Sequence, residues 1–350
     1  MKLDSVARQE RSKFVRRMPK AQLHVHLEGS IRAQTLLELA ARRRVDLPAR
    51  DARGIERWLR YRDFDQFLEV YLTISRCLRD PEDFQLATRA FLEECARENI
   101  LYTEVHFTIS THIANGANGA EVAEALAETV AAGEKDLGVI LRWIPDIVRN
   151  VAFERADQTL EWALDHRHRY VVALGLSGKE GHSAQPFREH FAVAAREGLH
   201  RTVHAGEQCG AGSVWDALEL CGAERIGHGF RSVEDQNLLE VLIARGVPLE
   251  LCPASNVALG LVASLAEHPL LEIHSAGVPW SLSSDDPALF HTSLTDEFES
   301  VADLLDLDVQ GLANLSTAAL EHAFSPDAEK RALRQRFRDS FADLGVDPAD

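Results

Sequence analysis

His200-Arg-Thr-Val-His204-Ala-Gly-Glu207 joins a short β-rich run, His200–His204, to a group of chemically active side chains at its C-terminal end. The arrangement recurs along the chain. Further runs of strand-forming residues lie at Gln22–His26, Leu101–Phe107, Gly138–Ile147, Tyr170–Leu176, Arg225–His228, Val247–Cys252 and Val278–Ser284. Helical patterns separate them, of which Glu121–Leu137 and Val233–Arg245 are clear examples. Alternating β and α units imply a parallel sheet, and eight such units imply closure into a TIM (β/α)8 barrel, an α/β fold. The open doubly wound sheet is the alternative, but the G-x-G-x-x-G phosphate loop that supports it is absent.

Residues 35–100 are too many for one crossover helix. They read as several helices inserted after the first strand, one around Asp65–Cys77, and an insertion there lies over the active-site face of a barrel. The chain ends with a helix begun by Ser325-Pro326, an N-cap and first-turn pair. No Pro/Gly/Ser linker divides the sequence. Residues 1–350 are expected to form one domain with its barrel core over about 19–344.

The bulk properties narrow the class. The formal charge is −17 and the pI about 5.3, which argues against nucleic acid and against an anionic membrane surface as partners. The 5 cysteines, Cys77, Cys95, Cys209, Cys221 and Cys252, are odd in number and contain no C-x-x-C pair, so reduced thiols are expected rather than a disulfide framework. No apolar run reaches the roughly 18–20 residues of a transmembrane helix, and Met1–Arg17 lacks the apolar core of a secretory signal. A cytoplasmic enzyme is the expectation. Nothing in the sequence specifies an oligomeric state.

His24-Val-His26 puts two imidazoles on one face of a strand, where they can share a metal. Alone that signal is weak, because the chain has 15 histidines and a second pair, His166 and His168, falls in a charged helical stretch and reads as solvated. Context strengthens it. His204 and Glu207 end the fifth run, Gly227-His228-Gly229 the sixth, and Ser284-Asp285-Asp286-Pro287 the eighth. Barrel enzymes draw their catalytic groups from these strand ends. Individually His204 could be a core histidine, His228 a turn residue and Asp285-Asp286 a helix cap. Three imidazoles and a carboxylate suit zinc, which lowers the pKa of a bound water to about 7. Attack on an aromatic amino-bearing carbon also needs a proton for the adjacent ring nitrogen, which Glu207 can supply. His228 is the candidate to orient the nucleophile and take its proton, Asp285 can ligate the metal, and Asp286 can face the substrate.

Met18-Pro-Lys-Ala-Gln-Leu-His24-Val-His26-Leu-Glu28-Gly-Ser30 resembles the opening of adenosine deaminases. So, in order, do His204-Ala-Gly-Glu207, Arg225-Ile-Gly-His228-Gly, Cys252-Pro-Ala-Ser-Asn256 and Ser284-Asp285-Asp286-Pro287. The resemblance implies a zinc-dependent aminohydrolase with one Zn2+ per chain, held by His24, His26, His204 and Asp285. It implies that Glu207 protonates purine N1 and that His228 positions and deprotonates the attacking water. It places Asp286 at N7, the Gly178 backbone at N3, and His26 and Glu28 beside the substrate, Glu28 where an aspartate in many members meets the ribose 5′-hydroxyl. The other zinc deaminase pattern, H-x-E with P-C-x-x-C, is missing its second half here.

Four positions depart from the family pattern. Gly175 and Lys179 stand where aspartates are usual, His106 where an arginine is usual, and Ile109 where a proline is usual. None is an implied metal ligand, so they bear on substrate choice. Adenosine or deoxyadenosine is the leading expectation, yielding inosine or deoxyinosine and ammonia. A 5′-modified adenosine such as aminodeoxyfutalosine is second, since Lys179 could meet an acidic 5′ substituent, and free adenine is third. Another amidohydrolase with two metals, or a silent binding protein, are the competing classes; the full set of ligands with Glu207 and His228 argues against the latter. Phe64, Phe67 and Leu68, at helical spacing, are expected at the pocket mouth by resemblance and in ordinary helix packing by composition.

Overall fold

The computed structural model describes residues 5–60, 64–168 and 170–347, with the side chains of 5–7 and of Phe64 and Asp65 outside the description. Eight strands pair in sequence order, each parallel to the next. They are β1 (Lys20–His26), β2 (Ile100–Phe107), β3 (Ile140–Val148), β4 (Ala173–Ser177), β5 (His200–Ala205), β6 (Arg225–His228), β7 (Leu249–Leu251) and β8 (Trp280–Leu282). The ring closes between the last strand and the first. Val25 bridges Asp285, the His26 N–H donates to the Asp285 carbonyl at 2.8 Å, and the Asp285 N–H donates to that of His24 at 3.1 Å. Below that point the Ser283 hydroxyl accepts the N–H groups of Leu23 and His24, each at 3.1 Å, standing in for a ladder carbonyl. This is the TIM barrel expected from the alternation.

β1 is buried on both faces, as a barrel strand covered by helices must be. Strands β7 and β8 begin later than their apolar runs because Pro248 and Pro279 have no N–H to give to the ladder, though both carbonyls accept one.

Helix α1 (Ser5–Arg17) precedes the barrel, and the long β1–β2 connection holds α2 (Ala33–Arg43), α3 (Ala52–Trp58), α4 (Phe64–Ser75) and α5 (Pro81–Arg97). Then come α6 (Ile109–Ala114), α7 (Gly119–Leu137), α8 (Glu154–His166), α9 (Arg188–Arg196), α10 (Ala211–Leu220), α11 (Gln236–Arg245), α12 (Pro253–Ala258) and α13 (Leu270–Ala276). After β8 follow α14 (Leu294–Leu304), α15 (Val309–His322) and α16 (Asp327–Ala342). Local chemistry sets their ends. Asp80 and Asp83 form a reciprocal capping box at the start of α5, with Pro81 in its first turn. Asn118 caps α7, which stops at Gly138 in the left-handed region.

Two expected helix starts move. The Asp235 side chain accepts the Asn237 N–H, so Val233–Arg245 divides into a 3-10 turn, Phe230–Glu234, and α11. In α16 the cap position falls on Pro326, and the Ser325 hydroxyl donates to the Glu329 carboxylate instead of capping the backbone. That helix buries Leu333, Phe337 and Phe341, and Phe341 stacks on Phe14 of α1 at 6.2 Å. His168 is exposed, as expected. The five thiols are free, Cys209 half-buried and the others buried. Among the described residues no helix is long and apolar enough to cross a membrane.

Candidate metal centre and its cavity

At the C-terminal mouth of the barrel, the ligating atoms of His24, His26, His204 and Asp285 lie within 4.8 Å of one another, and all four residues are buried. Two of the three imidazoles are aimed by what their other nitrogen does. His24 donates from Nδ1 to Glu250 at 2.7 Å, and His204 donates from Nδ1 to the Leu176 carbonyl at 3.0 Å. Both therefore turn bare Nε2 lone pairs to the centre. Nε2 of His204 stands 3.1 Å from Nε2 of His26, and Asp285 Oδ1 stands 3.4 Å from the latter and 3.6 Å from that of His24. His24 Nε2 is buried without a hydrogen-bond partner.

Imidazole nitrogens and a carboxylate oxygen gathered at such distances fit around a shared positive charge. The electrostatics agree. Burial pushes His26 down to about 4 and His204 well below its ordinary value, leaving both neutral. Burial opposes charge on His24 too, but Asp285 and Glu250 outweigh it and raise that ring to about 10. Two neutral imidazoles, a third in a field that favours a cation, and an ionised carboxylate fit a divalent metal of the zinc kind. Two further trios, His24–His106–Glu250 and His106–Asp146–His204, each reuse a histidine of this cluster.

Asp285 and His228 both carry positive φ, 59° and 60°, a conformation that costs about 1–3 kcal/mol and persists where surrounding bonds enforce it. Here Ser255 donates to Asp285 Oδ2 at 2.6 Å, and Asn256 approaches His228 Nδ1 at 3.4 Å. His228 Nε2 lies 3.9 Å from Glu207 and 4.0 Å from Asp285. Burial lowers His228 to about 3 and raises Glu207 to about 8, the latter with help from Asp285 and Glu180, so at pH 7 the imidazole is neutral and the carboxyl protonated. Asp286 is pushed well up by burial, then by Asp285 and Glu28, and its Oδ1 has no partner. A Cβ on Gly29 would lie 1.7 Å from that oxygen, which explains a glycine after Glu28.

Sequence reasoning missed the supports beneath these groups. Glu180 is 5 % exposed, and its carboxylate accepts the backbone N–H of Gly206, Glu207, Gln208 and Cys209 together with the Ser213 hydroxyl. Successive amides curled round one anion, with Gly206 at φ +65°, make a nest that fixes the loop bearing Glu207. Arg149 donates to the His204 carbonyl at 2.7 Å. Under His24, Arg225 bridges Glu250 and Glu104 with its guanidinium over the Phe324 ring. Arg225 sits inside a quoted motif and Glu180 directly follows Lys179, but a carboxylate or guanidinium in such a place carries no sign of which backbone it holds.

A cavity of about 390 Å³ opens over the centre. His26, His204, Glu207, His228, Asp285 and Asp286 line it, together with Gly178 at φ +91°. Phe67 and Leu68 of α4 also line it, joined by Tyr71 and Leu72, while the Phe64 side chain lies outside the described residues. Asn150, Arg155 and Lys179 also line it.

Glu28 differs from expectation. It is fully buried, with Oε1 accepting the Thr108 N–H at 3.0 Å, the Thr108 hydroxyl at 2.8 Å and His112 Nε2 at 2.8 Å, so it is not among the residues lining the cavity. Two of the departures are coupled. His106 Nδ1 donates to Asp146 Oδ1 at 2.8 Å, and a Cβ at Gly175 would fall 1.8 Å from that same oxygen. Ile109 simply opens α6 as a buried apolar residue.

Comparison with known proteins accords with this geometry. The family profile described as Adenosine deaminase matches residues 19–340. An aminodeoxyfutalosine deaminase of Streptomyces coelicolor is 39% identical over 314 residues, spanning 89% of this chain and 81% of that protein. An adenine deaminase of the same organism is 37% identical over 321 residues, spanning 91% and 94%. Among solved structures, adenine deaminase from Arthrobacter aurescens superposes with a TM-score of 0.87 at 32% identity, covering 93% of this chain and 99% of that one.

Proposed function

This chain belongs to the adenosine deaminase family, and from that membership we propose that it hydrolyses the 6-amino group of an adenine-containing small molecule, releasing ammonia, with one zinc ion per chain. The observation that carries the reading is the gathering of His24, His26, His204 and Asp285 beside a cavity that also holds Glu207, a carboxyl that burial pushes up to about 8. Held by His24, His26, His204 and Asp285, zinc would lower the pKa of a water to about 7 and supply a nucleophile at neutral pH.

The protein's own groups do the rest. Glu207 passes its proton to N1, so the neighbouring carbon can accept the incoming oxygen without leaving negative charge on the ring. Asp286, kept protonated, presents an O–H to the N7 lone pair, which a carboxylate would repel. The Gly178 backbone faces the N3 edge. His228 holds the attacking water against the amino-bearing carbon. The apolar wall of Phe67, Leu68 and Leu259 excludes bulk water and strengthens each of these interactions.

We read the substrate as a 5′-modified adenosine of the aminodeoxyfutalosine kind rather than adenosine itself. The cavity lining includes Asn150 and the cationic side chains of Arg155 and Lys179, which suit an acidic 5′ substituent. The relative at 39% identity is named for that reaction. Free adenine is the second reading, favoured by the full burial of Glu28, which is not among the residues lining the cavity.

The test follows the ultraviolet change of zinc-loaded protein with aminodeoxyfutalosine, adenosine and adenine. We expect kcat/KM for the first to exceed the others by roughly tenfold or more, a transition-state difference of about 1.4 kcal/mol. Glu207→Gln should lower the rate by about 10²–10⁴-fold. Adenine as the fastest substrate would install the second reading, and no turnover of any of the three would overturn the deaminase reading.

A further inference from the structure

His268 lies just before α13, 4 % exposed, packed against Phe230 at 5.2 Å between ring centres. The Leu270 backbone N–H donates to its Nδ1 at 3.0 Å. Burial pushes its pKa down to about 4, so the ring is neutral and its single ring proton must sit on Nε2. That nitrogen faces Asn256 Oδ1 at 3.1 Å and donates to it. The contact orients the amide, because the reverse flip would set an N–H against an N–H. Asn256 then turns Nδ2 toward Nδ1 of His228, 3.4 Å away, where an amide nitrogen can only donate. Nδ1 of His228 is thus the accepting nitrogen, and the ring proton of this neutral imidazole lies on Nε2, pointing into the site toward Glu207 and Asp285.

We infer that His228 acts through Nε2 as a hydrogen-bond donor to the attacking oxygen, its tautomer set by a relay from the Leu270 amide through His268 and Asn256. It is not the base expected from the sequence, because a base at Nε2 needs the proton on Nδ1, where Asn256 would oppose it. Both tautomers are neutral, so the assignment involves no gain or loss of a proton. Its mechanistic meaning rests on the deaminase reading; the tautomer does not.

As the C–O bond forms, Glu207 protonates N1. The proton given up by the water passes to the Glu207 carboxylate left once that group has protonated N1; Glu207 stands 3.9 Å from the same Nε2. As the C–N bond breaks, Glu207 gives that proton to the leaving ammonia, and the hydroxyl proton of the adduct restores Glu207. Asn256 and His268 are positioning residues, since they act only through the orientation and tautomer of His228.

The experiment is nitrogen-15 NMR of histidine-labelled, zinc-loaded protein, with the His228 signals assigned by their loss in His228→Gln. The expected result is a protonated Nε2 and a bare Nδ1 at neutral pH. The opposite tautomer in the wild-type protein overturns the inference. Asn256→Asp supplies a carboxylate that accepts from both rings, which should transfer the His228 proton to Nδ1 and lower kcat by about 10²–10⁴-fold, on the scale of a wrong catalytic tautomer, with KM within about threefold. A variant with the switched tautomer and undiminished kcat also overturns it. Wild-type protein that shows the expected tautomer yet deaminates none of the three substrates would sink the functional reading and leave the relay standing.

Discussion

At the scale of single residues, the site works by giving similar groups opposite protonation. Glu207, Asp286 and Asp285 are neighbouring carboxyl groups, yet burial and mutual repulsion raise the first two while the surrounding histidines hold the third ionised. The consequence for pH has a definite sign. Glu207 is raised from the ordinary 4.5 to about 8, so it carries its proton below that pH and loses it above. A donor that must be protonated gives a rate that falls as pH rises through about 8, and a kcat profile that stays flat to pH 10 would contradict the role. The residue types at this scale were largely readable from the sequence, since metal ligands and a proton donor need particular chemistry at strand ends. Glu28 was not: nothing in its local sequence tells that Thr108 and His112 lie close enough to claim its carboxylate.

At the scale of elements, the loops following the strands are held by buried groups from neighbouring loops. Glu180, after β4, gathers four amides of the loop after β5. Glu297 of α14 does the same more sparingly for the start of α12, accepting the Ala254 N–H and so steadying Ser255 and Asn256. The β2, β3 and β4 strands show how a departure from the family pattern is absorbed. Asp146 on β3 reaches across to His106 on β2, and Gly175, its register partner on β4, provides the space. Gly175→Ala would place a Cβ within 1.8 Å of the Asp146 carboxylate, and should destabilise the protein by about 1–3 kcal/mol as an overpacked core does. Thermal denaturation of the zinc-loaded variant checks this, and an unchanged Tm would refute it. The four helices between β1 and β2 were expected as a group, and α4 does bring Phe67, Leu68 and Tyr71 over the cavity.

At the scale of the whole molecule, closure of the barrel makes the centre. The ligands come from β1, β5 and the turn after β8, separated in the chain by 178 residues between His26 and His204, and they meet only because Asp285 bridges back onto β1. Bound metal should therefore stabilise the folded chain as a unit. At a zinc level about 1,000-fold above its Kd the gain is about 4 kcal/mol, and a chelator should remove it and lower the Tm by calorimetry. Equal melting with and without chelator would mean that the cluster does not hold a metal in the native state.

The sequence alone determined the barrel, the order of its strands and the chemical identity of the centre. Strand periodicity, helix spacing and the demands of metal and proton chemistry are written locally, within a few residues of one another. The tertiary structure decided what those groups may do. Which amide orients Asn256, which loop Glu180 ties down, where the Glu28 carboxylate is engaged, and whether Arg155 and Lys179 line the cavity all depend on contacts between distant segments. Hydrogen bonds, desolvation and close packing act over a few ångströms of space, and only the closed barrel brings residues far apart in the chain within that range.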